Sequence, residues 1–145
     1  MAKNDPKTAA KAVIYSKGKY LLLFRGRGEN ISPSSWDIPG GGMEKGETAA
    51  ETLIREVKEE TGIDISSSKI FPIKEWNMDK DGIKIGGTDF LCSLDDCQEA
   101  VLSAEHIRAQ WFSKEEIMNS EEIPTWLKES VELASARLKS KTNDN

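Results

Sequence analysis

The sequence is short of the residues that build disulfide frameworks and zinc sites. It has two cysteines and one histidine in 145 residues. Cys92 and Cys97 stand alone, so neither a disulfide scaffold nor a Cys/His metal site is expected. A reducing cytoplasm is the expected compartment. Long apolar runs are missing too. The longest, Tyr20 to Phe24, falls far short of the roughly 20 residues that span a bilayer. Met1 to Lys11 is polar, so no secretory h-region is expected there. Positive charge is not in excess. The net charge of −5 argues against bulk attraction to nucleic acid or anionic lipid. It still permits a polyphosphate ligand if cations lie between the two sets of negative charge. No repeat or low-complexity tract is present.

What remains suits one α/β domain. The length is enough for a core without disulfides or a structural metal. Polar stretches at 1–8 and 140–145 read as mobile tails around a single domain over 9–139. Ala9–Tyr15 and Lys19–Arg25 read as strands around Ser16-Lys17-Gly18, a hairpin signal. A polar loop covers Gly26 to Ser35. Trp36-Asp37-Ile38 is a short apolar piece stopped by Pro39 and three glycines, Gly40 to Gly42. Ile70–Asn77 and Ile83–Leu94 read as a second hairpin around Asp79-Lys80-Asp81-Gly82. Ile107–Phe112 reads as a last strand and Lys114–Met118 as a helical turn. Pro124 at N1 opens a terminal helix with Leu127, Val131, Ala134 and Leu138 on one face. Strands before and after a central helix, then a terminal helix, predict a mixed sheet covered on both faces.

The central helix is the clearest element. Thr48 and Glu51 make a capping-box pattern. Ala49, Ala50, Leu53, Ile54 and Val57 recur at helical spacing, and Gly62 closes the helix. Glu56, Glu59 and Glu60 stand at i, i+3 and i+4, so their carboxylates share one face. The apolar face must pack on the sheet, which fixes the direction of the acids. Such a rigid cluster suits a hard cation: Mg²⁺ takes a few carboxylates and completes its shell with waters and phosphate oxygens. Gly40 to Gly42 let the backbone turn and approach metal or phosphate closely, and a carbonyl from this turn is a candidate ligand. Arg55 is placed to hold a carboxylate bidentately. Taken alone, a glutamate-rich helix face is more often merely solvated.

The segment Gly41 to Ile63 contains more than a helix. It reads GGMEKGETAAETLIREVKEETGI, which matches G-x5-E-x7-R-E-U-x-E-E-x-G-U with U aliphatic. The matching residues are Gly41, Glu47, Arg55, Glu56, Val57, Glu59, Glu60, Gly62 and Ile63. Seven invariant residues at ordinary usage make a chance match on the order of one in a million or rarer. This is the Nudix box, and the chain resembles the MutT-like Nudix hydrolases. Leu21 to Arg25, Trp36 to Gly41, Ala109 to Phe112 and Glu115 to Ile117 are similar to the family's surrounding segments.

The resemblance implies a Nudix fold, an α/β/α sandwich with a mixed central sheet. It implies Mg²⁺ or Mn²⁺ on Glu56, Glu59 and Glu60, with the Gly40 carbonyl added. Glu47 would assist, through water to a second metal, and Arg55 would orient Glu56. One of the box glutamates, or Glu105 in the loop before the last strand, would act as base. His106 reads as a surface residue. Arg25 and Arg27 are candidates for the terminal phosphate, with a solvated pair as the alternative for Arg27. Trp36 and Trp111 read as core, while Trp76 and Phe71 are the aromatics open to a pocket. The expected activity is metal-dependent cleavage of a phosphoanhydride in a nucleoside diphosphate derivative, with a small-molecule nucleotide as partner. The chain would act as monomer or homodimer. Its compact length leans towards nucleoside triphosphates over ADP-ribose, nucleotide sugars or dinucleoside polyphosphates. A nucleotide-sensing module of the same fold predicts a damaged box, which this sequence does not have. An ordinary α/β binding domain predicts no box at all.

Overall fold

The computed structural model describes residues 7–25, 35–103 and 108–143. Its centre is strand β1 (Lys7–Ser16), which pairs in parallel with β6 (Ile83–Ser93) along one edge. A strand has only two edges, so its other partners must share the second. They are β2 (Lys19–Arg25), which meets Ile14 to Ser16, and β4 (Gly40–Gly42), which meets Ala9 to Lys11. The two hairpin strands therefore part after a short ladder. The opening is filled by β4 against β1 and by β3 (Ser35–Asp37) against the far end of β2. β7 (Arg108–Ser113) lines the outer edge of β2, and β5 (Ile70–Lys80) lines that of β6. The result is one seven-stranded mixed sheet.

Alternation along the strands divides the core into two layers. Ala10, Ala12, Ile14, Leu21 and Leu23 join Leu53 and Val57 of α1 (Ala49–Thr61) on one face. Val13, Tyr20 and Leu22 join Leu127, Val131 and Ala134 of α3 (Thr125–Asn143) on the other. Ile117 of α2 (Lys114–Asn119) completes the second layer. This is the expected sandwich with a mixed sheet. Trp36 is buried at 3% exposure, as expected of a core residue. Trp111 packs half-buried against the α1-side layer, its Nε1–H donating to the Gln98 carbonyl at 2.9 Å. Among the described residues no helix is long and apolar enough to cross a membrane.

Both hairpins close through two-residue turns with positive φ at each position, Lys17–Gly18 and Asp81–Gly82. These are the mirror-image turns whose twist matches paired strands. Four readings of the sequence change. β1 starts at Lys7, and α3 runs on through Ser140 to Asn143, so both expected tails are partly structured. Pro124 is not the first helical residue: its carbonyl accepts the N–H groups of Leu127 and Lys128, so it stands just outside the helix. β5 extends to Lys80, which leaves the second turn with two residues. Gly40 to Gly42 do not form a turn. They are an extended strand on β1, because side-chain-free backbone fits the narrow gap where β1 and β2 part.

Candidate active site

Helix α1 is held firmly at both ends. Thr48 Oγ1 accepts the Glu51 N–H at 3.1 Å and Glu51 Oε1 accepts the Thr48 N–H at 2.9 Å, a complete capping box. At the other end the Gly62 N–H reaches the Lys58 carbonyl at 2.9 Å. Leu53 and Val57 are fully buried on the sheet. The flank beside this stripe is thereby fixed, and it carries Glu56, Glu59 and Glu60. Their settings differ: Glu59 has a side chain 59% exposed, Glu56 18%, and Glu60 is buried at 8%.

Arg55 organises this face. Its Nε and Nη2 grip Glu47 at two points, 2.7 Å to Oε2 and 2.9 Å to Oε1. Its Nη1 reaches Glu56 Oε1 at 2.8 Å, and Nη2 donates to the Gly42 carbonyl at 3.2 Å. Glu59 lies 3.6 Å from the same guanidinium. The expected contact with Glu56 is present, and the two-point fork on Glu47 was not foreseen. Glu47 also accepts from Thr52 Oγ1 at 2.9 Å and from the Glu44 N–H at 2.8 Å. The guanidinium above all, then the Glu44 N–H, hold its carboxyl far below the usual range, at about 2.

Strand β4 is shaped around these acids. The Gly40 N–H donates to Glu60 Oε2 at 3.0 Å. At Gly40 a Cβ would collide with the Ala10 carbonyl oxygen and Lys11 Cα of β1, and its φ of 153° lies where side chains are rare. At Gly41 a Cβ would fall 2.6 Å from Glu56 Oε1. Glycine at 41 is therefore a cradle that the Glu56 carboxylate fills. Among the described residues no group of three His, Cys, Asp or Glu side chains converges in a coordinating arrangement. Glu56 is turned to Arg55 and Glu60 to the Gly40 N–H. The donor set, hard carboxylate oxygens beside a backbone strand without side chains, nevertheless fits a Mg²⁺-class ion.

Arg25 lies at the end of β2 with Nη1 3.7 Å from Asp37 Oδ2. Asp37 Oδ1 also takes Lys11 Nζ at 2.7 Å and the Ile38 N–H at 2.8 Å. Arg27, Glu105 and His106 lie outside the described residues.

A pocket of about 430 Å³ opens on the α3 side of the sheet, lined by Lys11, Lys74, Trp76, Met78, Asp89 and Trp126. Lys11 is the register partner of Gly40 in the β1–β4 ladder. The pocket wall and the Gly40–Glu60 contact therefore share one rung of the sheet. Trp76 is one of the two aromatics expected to face a pocket. Phe71 instead packs beneath Arg137, whose Cζ is 4.4 Å from the ring centre. Sequence reasoning missed Trp126, Lys11 and Lys74. The available signal for Trp126 was its place in the first turn of α3, off the apolar stripe.

A NUDIX domain model matches residues 5–134, and the chain belongs to the Nudix family. Among curated relatives, the nucleoside triphosphatase NudI of Enterobacter sp. (strain 638) is 35% identical over 79 residues, covering 54% of this chain and 53% of that protein. The chain thus spans about half the length of the curated relatives it matches. Among solved structures, the MutT protein from Methanosarcina mazei Go1 superposes with a TM-score of 0.78 at 27% identity, covering 96% of this chain and 99% of the other. A C. elegans Ap4A hydrolase in a binary complex gives 0.76 at 25% identity, covering 92% and 98%.

Proposed function

We propose that this chain is a divalent-metal-dependent pyrophosphohydrolase of nucleoside triphosphates, with its chemistry on the α1 acid face and its nucleoside in the α3-side pocket. The observation that carries this reading is the Arg55 arrangement, in which one guanidinium fixes Glu47 and Glu56 while β4 is emptied of side chains to seat Glu56 and Glu60. The similarity to a nucleoside triphosphatase supports the substrate class. The intact box argues against a sensing module.

Glu56, Glu59 and Glu60 would hold Mg²⁺ or Mn²⁺, with the Gly40 carbonyl as a further ligand. The chemistry that such an ion supplies is neutralisation of phosphate charge and a lowered pKa for water. The protein does the rest. Glu47 and Arg55 set the direction of Glu56, so both are positioning residues. One of the box glutamates, or Glu105, takes the proton of the attacking water. Arg25, and Arg27 beyond it, are candidates to hold the terminal phosphate. Trp76 and Trp126 offer aromatic surface to the base. Hydrolysis then yields a nucleoside phosphate and a free phosphate or pyrophosphate.

Dinucleoside polyphosphates are the second reading, favoured by the likeness to the Ap4A hydrolase. The test is a panel of nucleoside triphosphates, diadenosine polyphosphates, ADP-ribose and nucleotide sugars with Mg²⁺, read as phosphate and pyrophosphate release. Triphosphates should turn over fastest. A clear preference for any other class overturns the substrate assignment, and no turnover of the whole panel overturns the hydrolase reading.

A further inference from the structure

The pocket contains a buried carboxylate with no part in the acid face. Asp89 of β6 is 1% exposed. Its Oδ1 accepts the Trp76 Nε1–H at 2.9 Å and its Oδ2 accepts the Ser130 hydroxyl at 2.7 Å. Ser130 is itself fully buried in α3. In the neighbouring strands Lys11 and Lys74 stand opposite Asp89, so a row of lysine, aspartate and lysine crosses three strands. A carboxylate buried this far is unfavourable unless it is hydrogen-bonded, and here each oxygen has a donor, while the two lysines of the row reach Asp37 and Glu129 with their ammonium groups. An apolar residue would pack at this position without that requirement. What the carboxylate adds is a tie between β5, β6 and α3 at the pocket wall.

Trp76 is fixed a second way. Its register partner is Gly87, and the indole lies so close over that residue that any Cβ there would fall inside the ring's contact envelope. The ring is thus laid on bare backbone at its face and hydrogen-bonded at its edge. A flat, immobile indole is the surface on which a planar heteroaromatic base stacks at little entropic cost.

We infer that Gly87 and Asp89, the latter braced by Ser130, are positioning residues that hold Trp76 as the stacking wall for the substrate's base. This rests on reading the α3-side pocket as the nucleoside site. The variants are Gly87→Ala, Asp89→Ala, Asp89→Asn and Ser130→Ala. Asparagine still offers an oxygen to Trp76 and an amide to Ser130, so it should rescue what alanine loses. Two measurements are needed: the near-ultraviolet circular dichroism of the ligand-free protein, with the Trp76 band assigned from Trp76→Phe, and KM and kcat for the best nucleotide substrate at saturating Mg²⁺. Gly87→Ala and Asp89→Ala should alter the Trp76 band and raise KM roughly 5- to 50-fold, as for loss of one stacked base, with kcat within about twofold. Asp89→Asn should stay near wild type in both. Should Asp89→Ala not fold, Ser130→Ala carries the comparison with a smaller rise. An unchanged band in Gly87→Ala and Asp89→Ala overturns the positioning role. A changed band with unchanged KM overturns Trp76 as the stacking wall while leaving the hydrolase reading intact. A wild type that hydrolyses no nucleotide overturns both the hydrolase reading and the stacking role.

Discussion

Arg55 and Glu47, eight residues apart in the chain, are joined at two points, with Nε 2.7 Å from Oε2 and Nη2 2.9 Å from Oε1. Eight residues would place them more than two turns apart within one helix. They meet because Glu47 precedes the Thr48 cap and folds back along the first turns of α1. The planar fork leaves Nη1 aimed at Glu56, so the orientation of that carboxylate depends on a residue outside the helix.

Arg55→Lys should therefore behave much like Arg55→Ala, because an ammonium cannot make the two-point contact. Both variants should lower the melting temperature of the metal-free protein by roughly 5 °C and turnover by about 100-fold through misplacement of Glu56. Thermal unfolding beside steady-state kinetics checks this. A variant that melts like wild type yet has no activity would assign Arg55 to the substrate instead of to Glu47 and Glu56.

Glu47 also predicts an acid limb. Its folded pKa of about 2 lies below the ordinary 4.5. A depressed carboxylate pKa adds stability that is fully present above the unfolded value and is lost as pH falls through the folded one. Wild-type melting temperature should thus fall as pH drops from about 5 towards 2, and Glu47→Gln should show a flatter limb over that window from a lower starting point. Parallel limbs for the two proteins would contradict the pairing.

The three acids of α1 should separate in stability as well as activity. Glu59 is mostly exposed beside two like charges, so Glu59→Gln should leave the metal-free protein within about 0.5 kcal/mol of wild type, or slightly above it. Glu60 is buried and takes the Gly40 N–H. Glu60→Ala should cost roughly 1–3 kcal/mol, the range for a buried donor that loses its acceptor. Both variants should lose several orders of magnitude in turnover, and EDTA should abolish turnover of the wild type. Undiminished activity in excess chelator would remove the metal from the reading.

Much of this was legible in the sequence, and the exceptions have physical causes. The capping box, the buried stripe of α1 and the shared face of its three acids follow from spacing alone, because a helix is a local structure. The strand Gly40–Gly42 was not legible, since three glycines carry no alternation and their pairing depends on β1 being in place. Which of Phe71 and Trp76 faces the pocket stayed open in the sequence for a sharper reason. Strict alternation puts residues five apart on opposite faces. A β-bulge between Pro72 and Lys74 shifts the register by one residue. Before it Phe71 meets Arg137 of α3, and after it Lys74 and Trp76 also turn to the α3 side. Bulges that re-aim side chains are common beside functional sites, and the one mark in the local sequence, Pro72, is equally at home on a regular edge strand.

The cysteines give a check on the fold that is independent of activity. Cys92 is fully buried, and burial pushes its thiol up to about 12, whereas Cys97 is exposed. A thiol reagent at neutral pH should label one cysteine rapidly in the native protein, and the second only on unfolding. Rapid labelling of both would mean that the layer beneath α1 is open.

Adjacent glycines in β4 should fail in different ways when alanine replaces them. At Gly40 the new Cβ would meet the backbone of β1, which cannot move without breaking the β1–β4 ladder, and the residue must also keep a φ of 153°. Gly40→Ala should thus lower stability markedly, and activity would be lost with the fold. At Gly41 the obstructing atoms belong to the Glu56 carboxylate, the mobile end of a flexible side chain. That carboxylate can swing away, so Gly41→Ala should fold and melt within a few degrees of wild type. It should lose roughly 10- to 100-fold in turnover, because the displaced carboxylate is one that Arg55 exists to aim. Thermal melts and turnover at saturating Mg²⁺ on the two variants decide the matter. Equal loss of stability in both would mean that the gap at Gly41 serves the packing of β4 and not the placement of Glu56.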